Sequence, residues 1–400
     1  MRRYTGSEMF KPKASADDAS WRHAALPLHQ ASMTSPEDKM SLAEAGERVV
    51  VREITSLLQP SVILVDGLGH DAAFLDVPVG GNEILVVNTD RSGISIAYQL
   101  GLADGECVGD LGVSHAVSDV IAAGGVPKAV TVALLMPSDT EIGFVRQLMR
   151  GAERSAARYG AVIAGGDTKQ NPKFAMVVTA IGTAPRNRRL TRSGARPGDL
   201  LVVTGYLGSM LLGMIALRND IPVESEVRAA LERALIEQRP PFTLGRAIAD
   251  ALVAHACMDI SDGLAGAVFA VCSASGVGAV IDEALIPADP TVLPLANSLS
   301  LRPMQLACGG GDWQFLYAIA PERFARVEEL AASVGGRVTC IGRVTKAPAV
   351  VARTVEGSFR HLNRIAHDSF ADGAGGRGYF STLEVPQTWF GDFVEPPSER

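Results

Sequence analysis

The chain has 400 residues, 47% of them hydrophobic, and a net charge of −7. This composition supplies a substantial core, and the length is a prior for two domains rather than one. Net acidity argues against a nucleic-acid-binding surface, five scattered cysteines (Cys107, Cys257, Cys272, Cys308, Cys340) make no disulfide or zinc framework, and no apolar run spans a bilayer.

Residues 1–40 carry no sustained period and read as a flexible N-terminal leader, or as an arm that docks on a partner subunit. The basic start MRRYTGSEMFKPK has no apolar stretch behind it, which argues against a secretory signal. Ser41 and Glu44 form a capping-box pattern that predicts a helix to about Leu58. VILV (62–65) and EILVVNT (83–89) predict buried strands, and the Ala- and Gly-rich segment 108–125 predicts a closely packed helix. VTVALLM (130–136) predicts a strand. A helix capped by Ser138 and Glu141 is expected to run to Gly160, where glycine ends it. VIAGGD (162–167) and FAMVVTAIG (174–182) predict two more strands, the first buried and ending at its aspartate.

The polar, basic stretch APRNRRLTRSGARPGD (184–199) predicts a domain boundary near 185. The expected units are 41–185, 186–370 and a Gly- and Pro-rich tail, 371–400. Beyond the boundary, LLVVTG (200–205) predicts a strand, and helices follow at 208–218, 226–238 and 243–255. MDISDGL (258–264) turns from strand to helix, and 276–286 reads as a strand. LACGGGDWQFLYAIA (306–320) enters a strand through a glycine hairpin, 322–335 is an amphipathic helix, and 337–344 a last strand. The interleaving is an α/β (α+β) pattern.

Seven aspartates stand just after apolar runs or beside glycine: Asp71, Asp90, Asp119, Asp167, Asp259, Asp262 and Asp312. A carboxylate at a strand end points into the cleft outside that end, and glycine lets a phosphate or its metal approach the backbone. Converging carboxylates repel unless cations lie between them, and Mg2+, a hard ion shared with phosphates, suits such a set. Each aspartate taken singly also fits a turn or helix cap. Asp259 and Asp262 flank Ser261 before a helix start, where free N–H groups favour an anion. Neither a Walker loop nor a G-x-G-x-x-G fingerprint nor the protein-kinase motif set is present.

GLGHDAAFL, NTD, VSDVIAAGGVP, AGGDT, RLTRSGARPGDLLVVTG, MDISDGL and GGGDWQFL follow one another in this chain. In order and spacing they resemble the thiamine-monophosphate kinase family, over about 60–365. That family belongs to the superfamily of aminoimidazole ribonucleotide synthetase, selenophosphate synthetase and a hydrogenase maturation factor. The resemblance implies two α/β domains, an N-terminal half that pairs with a second copy as a dimer barrel, and a cleft for ATP and Mg2+. By resemblance, Asp71, Thr89, Asp90, Asp119, Asp167, Asp259 and Asp262 are metal ligands, and Gly166, Asp167, Arg192 and Ser261 bind ATP. Asp119 and Asp167 then act through metal positioning, with no general base. On the acceptor side, His70 and Arg91 stand where the family has aspartate and threonine. Ala97 lies near the family's substrate histidine, Gly311 replaces a glutamate, and Trp313 replaces a tyrosine beside Asp312.

Three activities follow from these motifs. The first is phosphoryl transfer from ATP to thiamine phosphate or to an altered, more anionic small-molecule acceptor. The second is ATP-driven activation of an amide oxygen for cyclisation or dehydration. The third is an inactive nucleotide-binding paralogue. The scattered cysteines suit a cytoplasmic protein, the resemblance implies a homodimer, and the charge and hydropathy argue against a nucleic-acid or membrane partner.

Overall fold

Period-2 alternation accounts for the long strands of the first half. The computed structural model of the chain describes residues 49, 64–66, 70–77, 80–363 and 390–394. The leader over 1–40, the helix over 41–58 apart from Val49, and the tail apart from 390–394 lie outside them.

The first half runs β1 (Leu64–Val65), β2 (Ala73–Leu75), β3 (Glu83–Ser92), α1 (Ile96–Gln99), α2 (Gly105–Ala122), β4 (Val126–Met136), α3 (Ile142–Arg158), β5 (Val162–Gln170) and β6 (Ala175–Pro185). Its strands form one sheet, ordered β1-β2-β3-β6-β4-β5, in which only β4 and β5 pair in parallel. Alternate residues of the central strands, among them Ile84, Val86, Val130, Val132, Val178 and Ala180, turn to one face and are buried. α2 lies in the same core through Val113, Val117, Val120 and Ile121, and α3 joins it through Leu148 and Ala152. A Cβ at Gly109 of α2 would come within 1.8 Å of the Leu148 carbonyl oxygen, so the two helices pack at backbone distance.

Several elements depart from expectation. β5 continues past Asp167 to Gln170 and is an exposed edge strand, with Val162 60% exposed. Its apolar start signalled a strand but not whether both of its edges are paired. α3 begins after Glu141, whose side chain makes no capping bond. It ends at Arg158, two residues short of Gly160, which turns the chain with a left-handed φ of +72°.

The second half runs β7 (Leu200–Thr204), α4 (Ser209–Arg218), α5 (Ser225–Ile236), α6 (Phe242–Asp250), β8 (Ala254–Asp259), α7 (Leu264–Ser275), β9 (Gly278–Asp282), α8 (Leu293–Ser298), α9 (Pro303–Ala307), β10 (Phe315–Ile319), α10 (Phe324–Ser333), β11 (Val338–Thr345), β12 (Val350–Arg353), β13 (Phe359–Leu362) and β14 (Phe390–Phe393). These strands form a second sheet, ordered β14-β13-β12-β9-β11-β7-β10-β8. The helix expected to reach 255 stops at Asp250, because Leu252 turns the chain with a φ of +55°. The chain enters β10 from α9 rather than from a hairpin, and β11 is followed by three further strands.

One apolar cluster joins the two halves. Val202 of β7, Cys257 of β8, Phe315 and Tyr317 of β10, and Leu244 and Ile248 of α6 pack in the same core as α2. That helix is therefore held between the two sheets, and its C-terminal turns lie against the end of β8.

Candidate functional site

Three apolar segments deliver their terminal carboxylates to one place. Asp71 precedes β2, Asp119 ends the α2 segment VSD, and Asp259 ends β8. One carboxylate oxygen from each lies within 4.8 Å of the others. The side chains of Asp71 and Asp259 are almost fully buried. Arg192 donates to Asp71 Oδ1 from Nε at 2.9 Å and from Nη2 at 2.5 Å. Asp119 Oδ2 accepts from Asn88 Nδ2 at 2.5 Å. Asp259 accepts from Ser261 Oγ at 2.8 Å and from Ser118 Oγ at 3.2 Å. These donors fix the orientation of each carboxylate.

The cluster carries more negative charge than its protein neighbours offset. Burial pushes Asp119 well above the usual carboxylate range, and the charges of Asp259, Asp71 and Asp90 add to the effect. Burial and then Asp71 lift Asp259 to about 7. Asp90 is also raised by burial, against the Arg91 N–H that donates to its Oδ1 at 2.6 Å. Burial opposes the charge on Arg192, but the surrounding aspartates win and its pKa is raised. One guanidinium against this set leaves room for a hard divalent cation, whose affinity for carboxylate oxygen is high. Asp71, Asp119 and Asp259 are the residues that can hold one.

The other expected residues are placed differently. Thr89 follows Asn88 on β3 and so points to the opposite face, where its Oγ1 meets Thr179 Oγ1 at 2.9 Å. Asp90 returns to the Asn88 side. Asp167 lies on β5, in register with Ala133 of β4, and its Oδ1 accepts from the Thr168 N–H at 2.8 Å. Gly166 is required by packing: a Cβ there would meet the Val132 carbonyl oxygen at 1.9 Å. Asp262 is exposed, and its charge helps to raise Asp259. His70 contacts the Asp66 carbonyl oxygen through Nε2 at 3.3 Å, and Arg91 is exposed.

The GGGDW loop reaches the cluster from the second half. Gly311 donates its N–H to the Ser261 carbonyl at 2.9 Å. It has a φ of +83°, which strains any residue with a β-carbon, and a Cβ would lie 2.8 Å from the flexible end of the Met210 side chain, so the backbone favours glycine here. Asp312 accepts from the N–H groups of Gly208 (2.7 Å) and Met210 (3.4 Å) at the start of α4. Burial nonetheless lifts it to about 7. Trp313 stacks on His115 of α2, with ring centroids 3.4 Å apart and planes within 8°.

Sequence reasoning missed Asn88, Ser118 and His115. The signals were available: Asn88 is two residues before Asp90 on the same strand face, and His115 is one helical turn before Asp119.

Comparisons with known proteins give the family and the fold. The family described as AIR synthase related protein, N-terminal domain, matches residues 69–184, and its C-terminal domain matches 196–354. A thiamine-monophosphate kinase from Synechococcus elongatus is 31% identical over 322 residues, covering 78% of this chain and 93% of that protein. One from Mycobacterium tuberculosis is 32% identical over 292 residues, covering 72% and 84%. Among solved structures, AaThiL complexed with AMPPCP and TMP aligns with a TM-score of 0.68 at 27% identity, covering 82% of this chain and 98% of that one. The hydrogenase maturation protein HypE of Escherichia coli shares the fold, with a TM-score of 0.61 at 20% identity, covering 80% and 97%.

Proposed function

Because this chain belongs to the AIR synthase related family, as a thiamine-monophosphate kinase-like member and an ATP-dependent kinase, we propose that its acceptor is thiamine monophosphate and its product thiamine diphosphate. The observation that carries the reading is the convergence of Asp71, Asp119 and Asp259 beside Arg192. The names of the relatives and the nucleotide and TMP in the AaThiL complex supply the substrate class.

Asp71, Asp119 and Asp259 would hold Mg2+, with Asp90 and Asp262 adding negative potential. Bound Mg2+ offsets charge on phosphate oxygens during transfer. The chain's own groups do the positioning. Asn88, Ser118 and Ser261 orient two carboxylates, and Arg192 brings a guanidinium to the phosphate side of Asp71. Among the described residues no imidazole joins the carboxylate cluster, and none is needed, since the attacking group is already an ionised phosphate.

Gly311 and Trp313 do not force a different acceptor. Backbone conformation favours the glycine, and Trp313 keeps an aromatic ring in place. We further assign a homodimer through the first sheet, because β5, with its exposed Val162, presents an edge that pairs with no strand among the described residues. A reducing, cytoplasmic setting suits the five cysteines, all free thiols. No described helix is long and apolar enough to cross a membrane.

The test is turnover of ATP with Mg2+, with and without thiamine monophosphate, followed by mass spectrometry of the products. ADP and thiamine diphosphate are expected. Free phosphate with loss of water from an added amide would replace this reading with the activation chemistry. Nucleotide binding without any turnover would replace it with the inactive paralogue.

A further inference from the structure

Asp66 leaves β1 with a φ of +63°, in the left-handed region that a residue with a β-carbon enters at a cost. Such a conformation persists where its surroundings hold it. Here Arg189 does so. It donates to Asp66 Oδ2 from Nε at 2.5 Å and to Oδ1 from Nη2 at 3.3 Å, while its Nη1 donates to the Arg186 carbonyl at 2.5 Å. The hydrogen bonds from Arg189 keep Asp66 below the usual carboxylate range, so the pair is charged. Five residues on stands Asp71, and His70 beside it reaches the Asp66 carbonyl oxygen through Nε2.

Arg189 belongs to the stretch 186–192 that joins the two halves, and this linker touches each segment that delivers a clustered carboxylate. The Leu190 N–H donates at 3.0 Å to the carbonyl of Ala123, at the C-terminal end of α2, and the Ala123 N–H donates at 2.9 Å to the carbonyl of Asp119. Contact there is close: a Cβ on Gly124 would lie 2.4 Å from the Arg188 carbonyl oxygen. On the other side, the N–H of Cys257, two residues before Asp259 on β8, donates to the Thr191 carbonyl at 3.0 Å. Those backbone bonds fix the linker to α2 and β8 whatever side chains it carries. Among the described residues, the tie to the Asp71 segment is made by side chains, Arg192 on Asp71 and Arg189 on Asp66.

We propose that Arg189, acting through Asp66, positions Asp71 for the divalent cation, with the linker serving as the common strut on which the three carboxylates are set. This rests on the reading of Asp71, Asp119 and Asp259 as the Mg2+ site and not on the identity of the acceptor. Arg189 is a positioning residue. It touches no carboxylate of the cluster, and it sets where the segment carrying one of them lies against the other two. Groups that orient metal ligands from outside tune affinity for the ion even though they never contact it.

The test is thermal unfolding of the full chain at alkaline pH with Mg2+ titrated in the absence of nucleotide. Arg189→Ala should need about 2- to 10-fold more Mg2+ for the same rise in Tm, the worth of one hydrogen-bonded pair, and Arg189→Lys should fall between. Asp66→Asn should shift the Mg2+ midpoint in the same direction. The double variant should shift it no further than the larger single change, because one pair carries the effect. Arg188→Ala is the control: it breaks the exposed pair with Asp250 on the same linker and should leave the midpoint where it is. A lower Tm in EDTA with an unmoved Mg2+ midpoint in Arg189→Ala would show a merely structural pair and overturn the proposal. So would additive shifts in the double variant, or an equal shift in Arg188→Ala. Should Arg189→Ala not fold, Arg189→Lys and Asp66→Asn decide by the same criterion. A wild-type chain whose Tm ignores Mg2+ removes the metal site and this proposal with it, whereas one that responds to Mg2+ and makes no thiamine diphosphate refutes the acceptor reading alone.

Discussion

Replacing Asp259 by Asn removes a charge that the fold presses against Asp71 and Asp119, and keeps the side-chain shape. Burial and Asp71 raise Asp259 from 3.8 to about 7. With the folded pKa above the unfolded one, the folded state binds the proton more tightly. Its contribution to stability is complete below 3.8 and is lost as pH rises through about 7. Between about pH 5.5 and about pH 8.5 some 1.5 units of that range are crossed, so the metal-free wild type loses ~2 kcal/mol that the Asn variant keeps. For a chain of 400 residues that is on the order of 2–3 °C in Tm. Thermal unfolding of both proteins in EDTA at the two pH values measures it. Mg2+ should then raise the Tm of the wild type at the higher pH and leave the variant unmoved. An offset between the two proteins that does not change with pH, or an equal response to Mg2+, would refute the account of a charge-crowded metal site.

Asp110 is buried on α2, where it takes two bonds from Arg158 (2.5 and 3.0 Å) and one from Arg239 (2.9 Å). Burial pushes it up, but the guanidiniums win and hold it at about 2. Asp110→Asn should cost ~3–5 kcal/mol in urea unfolding. In the wild type that contribution is present above 3.8 and lost as pH falls through about 2; a loss under ~1 kcal/mol would show the pair to be incidental. Gly166→Ala should force β5 away from the Val132 carbonyl, and hydrogen exchange should show faster exchange across 162–170 with little change in β3 and β6. Arg192→Lys keeps the charge but not both donors to Asp71. It should lower kcat/KM for ATP about 10- to 150-fold, the worth of a hydrogen bond to a charged group, and wild-type kinetics in the variant would remove Arg192 from the phosphate side.

The order of strands and helices was legible because apolar alternation and glycine stops are local signals. Asp71, Asp119 and Asp259 were legible for a related reason: each ends or interrupts an apolar run, so burial of the run carries the carboxylate inward. What pairs with what was not local. VIA in β5 reads as a core strand, yet its outer edge meets no strand among the described residues. Thr89 shows a different lapse, since period 2 already forbids adjacent Thr89 and Asp90 from sharing a face. Gly311 looked like a lost side chain, whereas its φ of +83° reveals a backbone requirement that residue identity alone does not disclose.

The cluster is assembled from segments far apart in the chain, and this imposes a timetable on synthesis. Asp71 is made 188 residues ahead of Asp259, and Asp119 140 residues ahead of it. At typical elongation rates the shorter interval is about 7–28 s. Through that interval the nascent chain has two of its three clustered carboxylates, and for the first 73 residues of it Arg192 is missing as well. A ribosome stalled before β8 therefore holds a chain whose carboxylate cluster is incomplete.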